Sequence, residues 1–309
     1  MKNYKSSFYY RKILLSNFIN SFVNFFMPKK NLTIRNYRGR FGNNIQQLAT
    51  GIIYSELKNT NFYTKKHPQL EKFVLVNNRL FNLLKFFKKR FDFFYLNNAN
   101  KLEKYNQQLI PKKFLQDKFY LENINRVCKN IIAKKINFLN YVDIDENTLV
   151  IHIRSGEIFN GKDKYSDYIQ NPIGYYELLI KKFSNVLIVS ENMENPLIEL
   201  LLRHENVKFQ STTMENDFNT LIYATNLATS GVGTFAMSAA LISNKLKHFY
   251  CTDIFIDSHL NPNMLDKNEV SVHVYEVKDY IEMGTWIANK ENIDLMLSRN
   301  IKIITPNDK

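Results

Sequence analysis

Three short segments carry residue types suited to gripping an anionic ligand. The first is His152-Ile153-Arg154-Ser155-Gly156-Glu157. Period-two alternation along a strand puts His152 and Arg154 on one face. A planar guanidinium engages two phosphate oxygens at once, which an ammonium does not. Arg154 therefore suits the neutralisation of a departing diphosphate; the other reading is a surface ion pair with Glu157. The second segment is Thr229-Ser230-Gly231-Val232-Gly233-Thr234-Phe235. Glycines ahead of a small-residue helix expose backbone N–H groups to phosphate, and the Thr234 hydroxyl adds a donor. The Gly-Lys-Ser/Thr of a P-loop is missing, as is the G-x-G-x-x-G spacing, so a plain helix cap is the alternative. The third is Arg38-Gly39-Arg40-Phe41-Gly42-Asn43-Asn44. Its two glycines permit close backbone approach and two arginines stand beside them; an ordinary glycine turn is the alternative.

The elements around these segments must hold them in place. Leu149 to Ile153 and Val186 to Ser190 are short apolar, β-rich runs that read as buried strands. Asn226 to Ser230 and His248 to Cys251 read as two more, and Val207 to Phe209 as a shorter one. Helical stretches alternate with them: Tyr175–Phe183, Pro196–His204, Asp217–Ala224 and Phe235–Ser243. Alternating strands and helices predict a doubly wound parallel sheet, with ligands beyond the carboxyl ends of its strands. Functional residues are then expected just after Ile153, Val189 and Ser230. Upstream, a strand at Leu32–Tyr37, the glycine loop and a helix from Asn44 to about Lys58 form a further unit. Residues 60–140 show no clear order of elements.

Composition narrows the possibilities. The chain has 309 residues, 45% of them hydrophobic, which is enough for two domains with real cores. Its charge is uneven. Residues 1–147 hold 27 Lys and Arg against 9 Asp and Glu, a net of +18, whereas residues 148–309 hold 15 against 20, a net of −5. A basic half can face nucleic acid, anionic membrane or an acidic substrate, or be a solvated surface. The Lys and Arg do not recur in nucleic-acid-binding patterns, so nucleic acid is not an expected partner. Two distant cysteines, Cys128 and Cys251, offer neither zinc spacing nor a disulfide framework. Residues 13–27 are apolar but interrupted by Ser and Asn, too short and polar to span a bilayer. An amphipathic helix there packs on the protein or lies on a membrane. The expected divisions are an N-terminal amphipathic segment at 1–28 and domains at 29–147 and 148–309. The expected location is cytoplasmic, peripheral on the inner membrane face.

Taken in order, the motifs resemble those of the α-1,2-, α-1,6- and protein O-fucosyltransferases. Gly39-Arg40-Phe41-Gly42-Asn43 is similar to their first-strand loop, His152-Ile153-Arg154 to their H-x-R motif, and Asp217 through Gly233-Thr234-Phe235 and Ala239 to their last motif. The sequence differs at Ser155, where a second arginine can stand, at Glu157, where the family has Asp, and at Gly233, where it has Ser. The resemblance implies a GT-B fold, two Rossmann-like domains with parallel sheets and an interdomain cleft. It implies an inverting glycosyltransferase that uses GDP-fucose as substrate, with no cofactor and no metal. Asp143-Ile144-Asp145 has the letters of a D-x-D metal motif but precedes its strand. Arg154 would hold the β-phosphate, Gly233, Thr234 and Phe235 the phosphates, His152 and Asp217 the guanosine. Asn43 and Gly42, with Arg40 and Phe41, would face the sugar or acceptor from the N-terminal domain, and Ser190 would line the donor site. Catalysis would fall to Arg154, Glu157 and Asn43, with Glu157 either the base or the group that orients Arg154. The acceptor would be a glycan or glycolipid hydroxyl. Transfer of another nucleotide-activated sugar, a GT-B-like binding protein and a basic nucleic-acid module are the other function classes.

Overall fold

A computed structural model describes residues 31–34, 37, 39–58, 61–75, 100–101, 112–161, 165–257 and 260–306. The amphipathic helix expected at 13–27 and Arg38 lie outside these residues. Among the described residues no helix is long and apolar enough to cross a membrane.

The protein is a mixed α/β chain of two compact units. One comprises Met1–Tyr37 and Gly51–Ile110; the other comprises Arg38–Thr50 and Pro111–Lys309. The expected boundary near residue 147 rests on the change of charge and periodicity there; the contacts group the chain into the two units just given. Helix α1, Phe41–Lys58, begins in the second unit and ends in the first.

The first unit holds a four-stranded sheet in the order β3-β2-β1-β4. Its strands are β1 (Asn31–Ile34), β2 (Asn61–Thr64), β3 (Val74–Leu75) and β4 (Asn100–Lys101). β1 runs parallel to both β2 and β4, and β3 is antiparallel. The strand expected from Leu32 corresponds to β1.

The second unit is built on seven strands, β5 (Thr148–His152), β6 (Asn185–Val189), β7 (Val207–Gln210), β8 (Asn226–Ala228), β9 (His248–Thr252), β10 (Ser271–Val277) and β11 (Ile303–Ile304). Their order is β11-β10-β9-β8-β5-β6-β7, parallel except for β11 at the edge. Within β5, Leu149, Val150 and Ile151 are all fully buried, as a parallel strand covered on both faces requires. Strand order reverses between β5 and β8. That is the switch point of a doubly wound sheet, where a crevice opens beyond the strand ends.

The connecting helices begin where the capping chemistry says they should. The Thr213 hydroxyl caps α2 (Met214–Tyr223) by accepting from Asn216 N at 3.2 Å. The Asn195 side chain accepts from Leu197 N at 3.0 Å and is followed by Pro196, which starts a short helix over Pro196–Leu201. Helix α3, Thr234–Ile242, has Gly233 at its cap position and no side chain satisfying its first N–H groups. Ala236, Met237, Ser238, Ala239 and Ala240 on it are all buried. The core on one side of the sheet gathers Leu149, Ile151, Ile153, Tyr175, Ile188 and Trp286.

Candidate functional site

A cavity of about 380 Å³ opens beyond the carboxyl ends of β5, β6 and β8. Every residue lining it belongs to the second unit. All twelve residues singled out from sequence line this one cavity: Arg40, Phe41, Gly42, Asn43, His152, Arg154, Glu157, Ser190, Asp217, Gly233, Thr234 and Phe235. Tyr165, Tyr168, Glu191, Thr212 and Met214 line it as well and were not anticipated.

The loop after β5 positions Arg154. Its carbonyl accepts from Asn195 Nδ2 at 2.9 Å, the Ser155 hydroxyl accepts from Asn195 N at 2.9 Å, and Ser155 donates to Asn192 Oδ1 at 2.5 Å. Ser155, standing where the resembled family can have a second arginine, thus ties the β5 loop to the β6 loop. Gly156 next to it has φ +73°, and a Cβ there would sit 2.9 Å from Glu191 Oε1. Trp286 buttresses the same turn, donating from its indole to the Ile158 carbonyl at 3.3 Å.

Four charged side chains form a closed ring at the cavity wall. Arg154 Nη2 donates to Glu157 Oε1 at 2.6 Å, and Arg154 Nη1 to Glu191 Oε1. Arg40 Nη1 donates to Glu191 Oε2 at 2.6 Å, and Arg40 Nη2 to Glu157 Oε2. The Arg154–Glu157 pair of the alternative reading therefore exists. It is not a surface pair, since the Arg154 side chain is only 11% exposed. Arg40 supplies a second guanidinium, and Glu191 a second carboxylate. The carboxyl-end rule had pointed to this loop, but to Ser190 rather than its neighbour. Ser190 is buried, with its hydroxyl donating to the Asn192 carbonyl at 3.0 Å.

The glycine loop before α1 packs directly on α3. A Cβ on Gly42 would lie 2.7 Å from the Thr234 backbone carbonyl. The Gly42 carbonyl accepts from Ser238 Oγ at 3.0 Å, and Asn43 Oδ1 accepts from Thr234 Oγ1 at 2.8 Å. Phe41 anchors the loop: its ring meets Phe138 at 5.2 Å and Phe218 at 5.0 Å. This packing explains why Arg40 to Asn43, expected from an N-terminal domain, belong to the second unit.

The part of the cavity around His152 and Asp217 is built differently. His152 is 6% exposed, lies 5.3 Å from the Phe235 ring, and its Nδ1 has no protein partner. Burial, and secondarily the Arg154 charge, pushes its pKa down to about 3. The imidazole is therefore neutral, and its Nδ1 is a buried polar atom without a protein partner. Asp217 accepts from Thr212 Oγ1 at 2.6 Å, Gln210 Nε2 at 2.9 Å and Thr212 N at 3.3 Å. On the opposite side Gly231, with φ +92°, holds the loop before α3. A Cβ there would lie 2.6 Å from the Ile169 carbonyl, which also accepts from Val232 N at 3.0 Å. Gly233 is extended, and a Cβ added to it would meet nothing nearer than Ser230 Oγ, at 3.6 Å. Among the described residues, no three His, Cys, Asp or Glu side chains gather in a metal-holding group.

No protein-family model and no curated protein matches the chain. Among solved structures it is similar to POFUT1 in complex with GDP-fucose, at 13% identity and TM-score 0.38, over 72% of this chain and 98% of that one. It is similar to POFUT1 in complex with GDP at TM-score 0.35 over the same shares. NodZ α-1,6-fucosyltransferase soaked with GDP-fucose gives 8% identity and TM-score 0.35, over 90% of this chain and 99% of that one.

Proposed function

We propose that the cavity binds a nucleotide-activated sugar by its diphosphate and that the protein is a glycosyltransferase. The observation that carries this reading is the placement of two guanidiniums, Arg40 and Arg154, beside the uncapped start of α3 at the strand-order switch point. Arginine forks and free backbone N–H groups both favour phosphate oxygens. The motif resemblance makes GDP-fucose the donor and a glycan hydroxyl the acceptor.

In this reading the acceptor oxygen attacks the anomeric carbon from the face opposite the diphosphate. The carbon–oxygen bond to the β-phosphate breaks and its electron pair leaves with the nucleoside diphosphate, so the anomeric centre inverts. Arg154 and Arg40 stabilise the charge that develops on the leaving oxygens, which makes a metal unnecessary. Glu157 receives the acceptor proton, and Asn43 faces the sugar or acceptor; both are at the cavity. His152 and Asp217 face the nucleoside.

Thermal-shift and calorimetric titration against GDP, UDP, CDP and their sugars tests the reading. GDP and GDP-fucose are expected to bind, and Arg154→Ala to lower turnover by about a hundredfold, the usual loss for one charge-assisted donor. Near-normal turnover in that variant, or no response to any nucleotide, would sink it. Residues 13–27 and the basic first half further lead us to infer peripheral contact with an anionic membrane face, where a lipid-borne acceptor would sit. Flotation of the full chain with anionic but not neutral vesicles is the expected result; failure to float with either removes this part of the proposal.

A further inference from the structure

We propose that Glu157 and Glu191 are internal counter-ions that occupy the two anion positions of the site and are displaced by the donor's diphosphate. The inference rests on the diphosphate reading above. Each carboxylate spans both arginines, giving one oxygen to Arg40 and the other to Arg154. Each Nη of the two guanidiniums thereby gives one N–H to a carboxylate, so a phosphate that bridges both arginines in the same way must take a carboxylate's place. The charged side chains lining the cavity are Arg40 and Arg154 against Glu157, Glu191 and Asp217, a net of −1. A diphosphate added to that wall is repelled unless the ring opens.

The ring is built to open on one side only. Arg154 is 11% exposed, with its carbonyl held by Asn195, so it stays. Glu157 and Glu191 are 29% and 34% exposed, so both carboxylates reach water with little further desolvation. The two positions they leave are separate, and each is bridged by both arginines. Two linked phosphates match that pattern, and one phosphate fills half of it. The exchange replaces one set of charge-assisted bonds with another, so the site binds by substitution rather than by net attraction. It discriminates against single anions, which cannot replace both carboxylates together.

The test is calorimetric titration of the full chain and of Glu157→Gln, Glu191→Gln and the double variant with GDP, inorganic pyrophosphate and inorganic phosphate. Each single variant is expected to bind GDP and pyrophosphate about tenfold more tightly, a change of about 1.4 kcal/mol, while its unliganded melting temperature falls. A gain of affinity does not arise from damaged folding. Unchanged or weaker binding in all three variants overturns the counter-ion assignment, and if the wild type still binds GDP in an Arg154-dependent way the diphosphate reading stands. A gain as large for phosphate as for pyrophosphate overturns the two-position claim. No binding of GDP or pyrophosphate by any form overturns the diphosphate reading and this inference with it.

Discussion

His152 and Gly156 show how much a single residue settles here. The folded pKa of His152 is lowered to about 3 by burial and by Arg154, whereas an unfolded histidine titrates near 6.5. Below that value the unfolded chain takes up a proton that the folded chain refuses, so this group destabilises the fold as pH falls from about 6.5 to about 3. Within that window each pH unit costs up to about 1.4 kcal/mol. Urea unfolding at pH 7 and pH 5 is expected to show the loss, and His152→Gln to flatten it; equal slopes in the two proteins would refute the assignment. His273 and His67 are also lowered by burial, so a residual slope remains in the variant. At Gly156 a methyl group meets two obstacles, the left-handed φ of +73° and Glu191 Oε1. Gly156→Ala is expected to cost about 1–2 kcal/mol and to displace Glu191 from the ring. A melting temperature equal to the wild type would count against that geometry. The sequence motif showed that Gly156 follows Arg154, but nothing local showed what it faces.

At the scale of elements, the start of α1 and the start of α3 are pressed together through two glycines with opposite requirements. Gly42 has backbone of Thr234 and Phe235 within 2.8 Å of any added Cβ. Gly233 has an ordinary extended φ of −175° and open space beside it. Gly42→Ala is therefore expected to cost about 1–3 kcal/mol, the usual penalty of overpacking, and to weaken donor binding by shifting Asn43 and Arg40. Gly233→Ala should stay within about 0.5 kcal/mol of the wild type. Chemical denaturation of the two variants side by side decides it; equal effects would mean the helices do not approach as closely as described. Strand and helix positions here were legible in advance because the short apolar, β-rich runs and the helical stretches between them are local features. The partner of Gly42 was not, since Thr234 lies far along the chain and no local pattern encodes that pairing.

For the whole molecule, the second unit combines a doubly wound sheet with a cavity at its switch point, and the site draws on segments from Arg40 to Phe235. A ligand bound there stabilises the folded form and not the unfolded chain. Nucleoside diphosphate at a hundred times its dissociation constant should add about 2.7 kcal/mol to the stability, read as a rise in melting temperature that Arg154→Ala abolishes. A rise that survives the substitution would place the ligand elsewhere. The charge contrast between residues 1–147 and 148–309 carries no such information. Arg38–Thr50 and Pro111–Lys309 group as one compact unit whatever their net charge.

The sequence by itself placed strands ending at Ile153, Ser190 and Ser230, within two residues of the observed ends at His152, Val189 and Ala228, with an arginine and a glycine-rich helix start after them and chemistry that suits an anion. Those features depend on residues within a few positions of one another. Only the tertiary structure decided the strand order that brings the loops after β5 and β8 together, the seating of Gly42 on α3, and the ring in which Arg40 and Glu191 join Arg154 and Glu157. The physical reason is that each of these depends on contacts between distant segments, whose free energy lies in packing and charge pairing and leaves no periodic trace along the chain.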